Sequence, residues 1–88
     1  MKIVVIYRPN SEFARITEEF IHDYQFRYPD GRIEILDVDS RDGISMASLY
    51  DVMRYPTILA MREDGSLLKS WEDESFPLMD EVAAYAYS

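Results

Sequence analysis

The sequence predicts an α/β fold, a four-stranded mixed sheet with helices on both faces in the order β-α-β-α-β-β-α, and three observations carry that prediction. Ile3-Val4-Val5-Ile6 is an uninterrupted apolar run of strand length, suited to a central strand buried on both faces. Phe13, Ile16, Phe20 and Tyr24 follow at helical spacing, opening a βαβ unit. Thr57 to Met61 and Ser66 to Trp71 flank Arg62-Glu63-Asp64-Gly65, the pattern of two strands joined by a tight turn.

Each element has its own local signals. Pro9 ends the first strand, and Asn10 or Ser11 is suited to cap the long helix that follows, with Thr17 and Ile21 beside its apolar stripe. Pro29-Asp30-Gly31 is turn chemistry, after which Ile33, Ile35 and Val38 alternate partly with Glu34 and Asp37 in a second strand. Gly43 is expected to break the chain before a short helix whose apolar residues are Met46, Leu49 and Met53. The acidic link Glu72-Asp73-Glu74 leads to a closing helix with Pro77 near its start and Leu78, Val82, Ala83, Tyr85 and Ala86 as its apolar face. In this arrangement the first strand lies inside the sheet, parallel to the second and antiparallel to the Thr57 strand, with the first and last helices on one face.

Composition narrows the function classes. Eighty-eight residues, 48% of them hydrophobic, suit a single domain spanning 1–88, and no apolar run approaches the roughly 20 residues that cross a bilayer. A soluble, cytoplasmic protein is the expectation. The net charge of −8 is uneven: residues 1–33 carry five basic and five acidic side chains, whereas residues 34–88 carry four and twelve. That balance opposes nucleic acid and anionic membranes, and favours solubility or a basic partner. With no cysteine, the chain has neither a disulfide framework nor thiolate ligands for a metal. His22, the one histidine, has no companion at metal-ligand spacing, and reads as a solvated helix residue. Asp37-Val38-Asp39-Ser40-Arg41-Asp42-Gly43 departs from a calcium loop at Arg41, at Asp42 and at Ser48, so its aspartates read as a strand end and a solvated loop.

Tyr7-Arg8-Pro9-Asn10-Ser11-Glu12-Phe13-Ala14 resembles the strand-to-helix corner of glutaredoxins, with Ser11 and Ala14 at the two cysteine positions. Leu49 to Thr57, ending in Tyr55-Pro56-Thr57, resembles the segment that enters the cis-proline of thioredoxins, and Asp64-Gly65 resembles their hairpin turn. The chain is thus similar, over nearly its whole length, to a minimal thioredoxin-like domain of the glutaredoxin/thioredoxin kind that lacks the CxxC cysteines.

The resemblance implies a cis bond at Tyr55-Pro56, and beside it backbone groups left free to pair with an extended ligand. It cannot carry over dithiol chemistry, because a thiolate is the nucleophile in that exchange. Ser11 is no substitute: a hydroxyl needs an adjacent base, and His22 is eleven residues further along the same helix. What remains is a non-catalytic binding or adaptor domain, without a cofactor, that holds a peptide or protein partner on a face made of Tyr7, Arg8, Ser11, Phe13, Tyr55 and Pro56, with Trp71 at its border. Arg8 and the helix N-terminus there favour an acidic or carboxylate-bearing peptide. Two alternatives stand beside it. One is a glutathione site like that of glutathione transferases, using Tyr7 or Ser11, although Glu74-Ser75 matches that family's glutamate-serine pair only superficially. The other is a structural oligomer subunit; a monomer or weak homodimer is expected.

Overall fold

The computed structural model describes residues 2–72 and 77–86, so the Asp73-Glu74 part of the acidic link and the Glu74-Ser75 pair lie outside the described residues. Strand β1 (Lys2–Tyr7) buries Ile3, Val4, Val5 and Ile6 completely, as a run with no polar face must. It pairs in parallel with β2 (Ile33–Asp37) and antiparallel with β3 (Thr57–Met61), and β3 pairs antiparallel with β4 (Leu67–Glu72). The sheet order is β2-β1-β3-β4. The two inner strands are apolar through Ile3–Ile6 and Ile58–Met61, while the edge strand β2 carries Glu34 and Asp37, charges that discourage pairing with another chain.

Side-chain alternation along the inner strands divides the core in two. Ile3, Val5, Ile58 and Ala60 face helices α1 (Ala14–Arg27) and α3 (Met79–Ala86), where Ile21, Tyr24, Val82 and Ala83 meet them. Val4, Ile6, Leu59 and Met61 face α2 (Arg41–Leu49), with Leu36, Val38, Ala47 and Val52. Each large aliphatic side chain so buried contributes about 1.5–3 kcal/mol. No helix among the described residues is long and apolar enough to cross a membrane.

Several local expectations are corrected. Neither Asn10 nor Ser11 caps α1. The Ser11 N–H and hydroxyl both turn back to the Arg8 carbonyl, at 3.1 and 2.8 Å, closing a β-turn with Pro9 at its second position. A second turn, from the Ala14 N–H to the Ser11 carbonyl, delays the helix until Ala14, with Phe13 at the capping position and no side-chain cap. The buried stripe is consequently Ala14, Thr17, Ile21 and Tyr24, and Ile16 is 49% exposed. Thr17 fits within that stripe because its hydroxyl donates to the Phe13 carbonyl at 2.8 Å.

Gly43 does not break the chain but lies in the first turn of α2, where its N–H bonds the capping Ser40 hydroxyl oxygen at 3.0 Å. A Cβ at this position would lie 1.9 Å from the Asp37 carbonyl oxygen, so the glycine permits α2 to approach the end of β2. Leu49 and Met53 are 72% and 81% exposed, and Ala47, Val52 and half-buried Met46 make the contact instead. Asp51, at φ 54°, reverses the chain after α2 and swings Val52 inward.

The hairpin forms over Arg62–Gly65 as predicted, with Gly65 at φ +91° and the Asp64 carboxylate accepting from the Ser66 N–H and hydroxyl. Its second strand is displaced by one residue at each end, to Leu67 and Glu72. Leu78, expected on the packed face of the last helix, is 77% exposed before that helix begins. The α3 helix is tied to the end of α1 through Asp80, which accepts from the Tyr28 hydroxyl and pairs with Arg27 at 3.3 Å.

Candidate functional site

Where β1 ends, its chain turns over Arg8–Ser11 into α1, and the Tyr55–Pro56 segment entering β3 lies alongside. Between them is a groove of about 450 Å³ lined by Tyr7, Arg8, Ser11, Glu12, Phe13, Thr17, Tyr55 and Pro56. All six residues named from the sequence are therefore brought together. Trp71 is not among the lining residues; its ring meets Tyr85 edge-on at 5.6 Å and its Nε1 donates to Glu81 at 3.3 Å, on the α3 side of the sheet.

Glu12 and Thr17 line the groove without having been expected there. Thr17 had a signal, since it lies one helical turn beyond Phe13. Glu12 lies between Ser11 and Phe13, but its exposure to the groove follows from the double turn, which the residues themselves do not announce.

The Tyr55–Pro56 peptide bond is cis. Pro56 is buried and has no N–H, and among the described residues neither the N–H nor the carbonyl of Tyr55 has a backbone partner. The polypeptide on this wall thus offers one donor and one acceptor to an incoming chain. Thr57 next to it is locked by its hydroxyl's bond to the Arg54 carbonyl, so the segment is held from behind.

Electrostatically the site is more acidic than its sequence suggests. The Tyr7 hydroxyl donates to Glu18 at 2.9 Å, and burial, that bond, and the charges of Glu18 and then Asp37 hold its pKa above the ordinary 10.0. Tyr7 is therefore a neutral phenol whose proton is committed to Glu18. The Arg8 guanidinium is paired with Asp39 at 3.3 Å. The Ser11 proton is likewise committed, to the Arg8 carbonyl.

These commitments bear on chemistry. A hydroxyl that activates a bound thiol must donate toward its sulfur, and both hydroxyls proposed for that task donate elsewhere, with the Glu18 carboxylate opposing a nearby thiolate. His22 is exposed on α1 with Asp23 3.7 Å away, and no group of three His, Cys, Asp or Glu able to hold a metal exists among the described residues. The Asp37 carboxylate accepts the Asp39 N–H at 2.8 Å, using the aspartate loop to shape the turn into α2.

A second hollow of comparable size lies at the opposite end of β1, lined in part by Lys2, Tyr28, Arg32 and Glu34. Its cations are answered within the chain, Lys2 by Glu34 at 3.1 Å and Arg32 by Glu63 at 2.9 Å. It offers a ligand less than the groove does.

No protein-family model matches the chain, and no curated protein matches it. Among solved structures, mitochondrial thioredoxin 3 of Saccharomyces cerevisiae in its oxidised form superposes with a TM-score of 0.70 at 18% identity, over 97% of this chain and 74% of that one. Thioredoxin 1 of the thermophilic eubacterium Thermosipho africanus gives a TM-score of 0.70 at 18% identity, over 94% and 88%. The fold is thioredoxin-like. The germline-specific thioredoxin Deadhead of Drosophila melanogaster is similar in the same way, with a TM-score of 0.71 at 16% identity over 93% and 73%. This thioredoxin-like domain contains no cysteine, so its own side chains cannot exchange disulfides.

Proposed function

We propose that this thioredoxin-like domain is a non-catalytic binding module that holds an extended segment of a partner protein in the groove between the Arg8–Phe13 turn and Tyr55-Pro56. The observation that carries the reading is the backbone of Tyr55, unpartnered among the described residues, on the wall of a groove whose other walls include Tyr7, Phe13 and Pro56. Backbone pairing gives affinity for an extended chain without regard to sequence, and aromatic walls give contact area with a polar handle. The Tyr7 and Ser11 hydroxyls, by contrast, are satisfied internally, and among the described residues Ser11 has no base as a hydrogen-bond partner.

The test is selection of a random nonapeptide library displayed on phage against the 88-residue chain, followed by amide-shift mapping with the selected peptides. Shifts centred on Arg8, Ser11, Phe13 and Tyr55, lost in a folded Tyr55→Arg variant, support the reading. Shifts confined to residues away from the groove overturn it.

A further inference from the structure

We infer that the groove selects segments carrying a lysine or arginine, with Glu12 as the residue that pairs with that cation; this rests on the binding reading above. Arg8, the only cation lining the groove among the described residues, already faces Asp39 at 3.3 Å. Glu12 also lines the groove, and among the described residues no cation and no hydrogen-bond donor answers its side chain. Glu18 accepts the Tyr7 hydroxyl at 2.9 Å, and the charge of Asp37 also acts on that phenol.

The opposing charges are fewer. Arg15 is engaged by Glu19 at 3.3 Å, and Arg54, exposed and next to Tyr55 in the chain but not among the groove's lining residues, is a single cation against the three carboxylates Glu12, Glu18 and Asp37. The N-terminus of α1 adds a partial positive charge of about one half, short of what remains. The expectation of an acidic ligand, drawn from Arg8 and the helix end, is thereby reversed. The long-range field agrees with the local one, because a chain of net charge −8 attracts a basic segment before contact and repels an acidic one.

The experiment uses the same displayed library, read for composition, and then Lys, Gln and Glu versions of one selected peptide against the wild-type chain and Glu12→Gln. Lysine and arginine enriched over aspartate and glutamate relative to the input library is the expected first result. Titrations should then show Glu12→Gln weakening the Lys version about two- to fivefold, the range for an exposed ion pair, and leaving the Gln version unchanged. An unchanged melting curve shows that the variant folds. Peptides that shift the Tyr55 and Ser11 amides without basic enrichment, or that lose equal affinity for Lys and Gln versions in Glu12→Gln, overturn this inference while leaving the binding reading standing. If no selected peptide shifts those amides, the binding reading fails and this inference fails with it.

Discussion

Gly43 illustrates how a single missing Cβ fixes the distance between two elements. The residue is buried in the first turn of α2, and the nearest atom to its absent side chain is a backbone carbonyl oxygen, that of Asp37, 1.9 Å from where a Cβ would be. Backbone cannot swing aside as a lysine tip can, so Gly43→Ala must push α2 away from β2 or distort the turn that Ser40 caps. The helix-propensity gain of alanine over glycine, about 1 kcal/mol, is too small to offset overpacking of about 1–3 kcal/mol or more together with a loosened Leu36, Val38 and Ala47 contact. Urea denaturation should show a lower midpoint for Gly43→Ala; a midpoint equal to or above wild type would mean that α2 and β2 separate freely.

At the scale of elements, the two helix entries differ in what serine accepts. Both hydroxyls donate to a carbonyl three residues back, Ser40 to Asp37 at 2.6 Å and Ser11 to Arg8 at 2.8 Å, but only Ser40 also accepts an N–H of its helix, that of Gly43 at 3.0 Å, and is a true cap. Ser40→Ala should therefore cost about 0.5–2 kcal/mol, and Ser11→Ala less, a ranking that paired thermal melts decide. The same contrast explains what the residues disclosed. β1 and β3 were legible because Ile3 to Ile6 and Ile58 to Met61 are apolar without interruption, and only a central strand accepts such runs. The stripe of α1 was misjudged by one position because Pro9 begins a turn that consumes two prospective helical residues. Leu49 and Met53 were misjudged because helical spacing cannot distinguish an apolar side chain on the core from one facing water. The six groove residues were reached through two resemblances, Tyr7, Arg8, Ser11 and Phe13 through a known strand-to-helix corner and Tyr55 and Pro56 through a known cis-proline segment. The pairs Tyr7 with Glu18 and Arg8 with Asp39, which set the groove's charge, join residues 11 and 31 positions apart that no local pattern connects.

For the molecule as a whole, the chain carries an excess of eight negative charges and its structure spans 29 × 28 × 19 Å, so the carboxylates of the described residues repel one another across the fold. At about 0.01 M ionic strength the screening length is roughly 30 Å, comparable with the longest dimension, and the repulsion is felt in full. At about 0.15 M it falls to roughly 8 Å, which removes most of the long-range repulsion yet still exceeds the 2.9–3.3 Å of the ion pairs Arg32–Glu63, Lys2–Glu34 and Arg8–Asp39. Those pairs are exposed and contribute at most about 1 kcal/mol each, so their partial screening is the smaller effect. Adding salt over this window should therefore raise the melting temperature, even as it weakens any basic peptide held at Glu12. Calorimetry at constant pH checks the first half, and a melting temperature that falls with salt would show that the contact pairs, rather than the net charge, govern the stability of the fold.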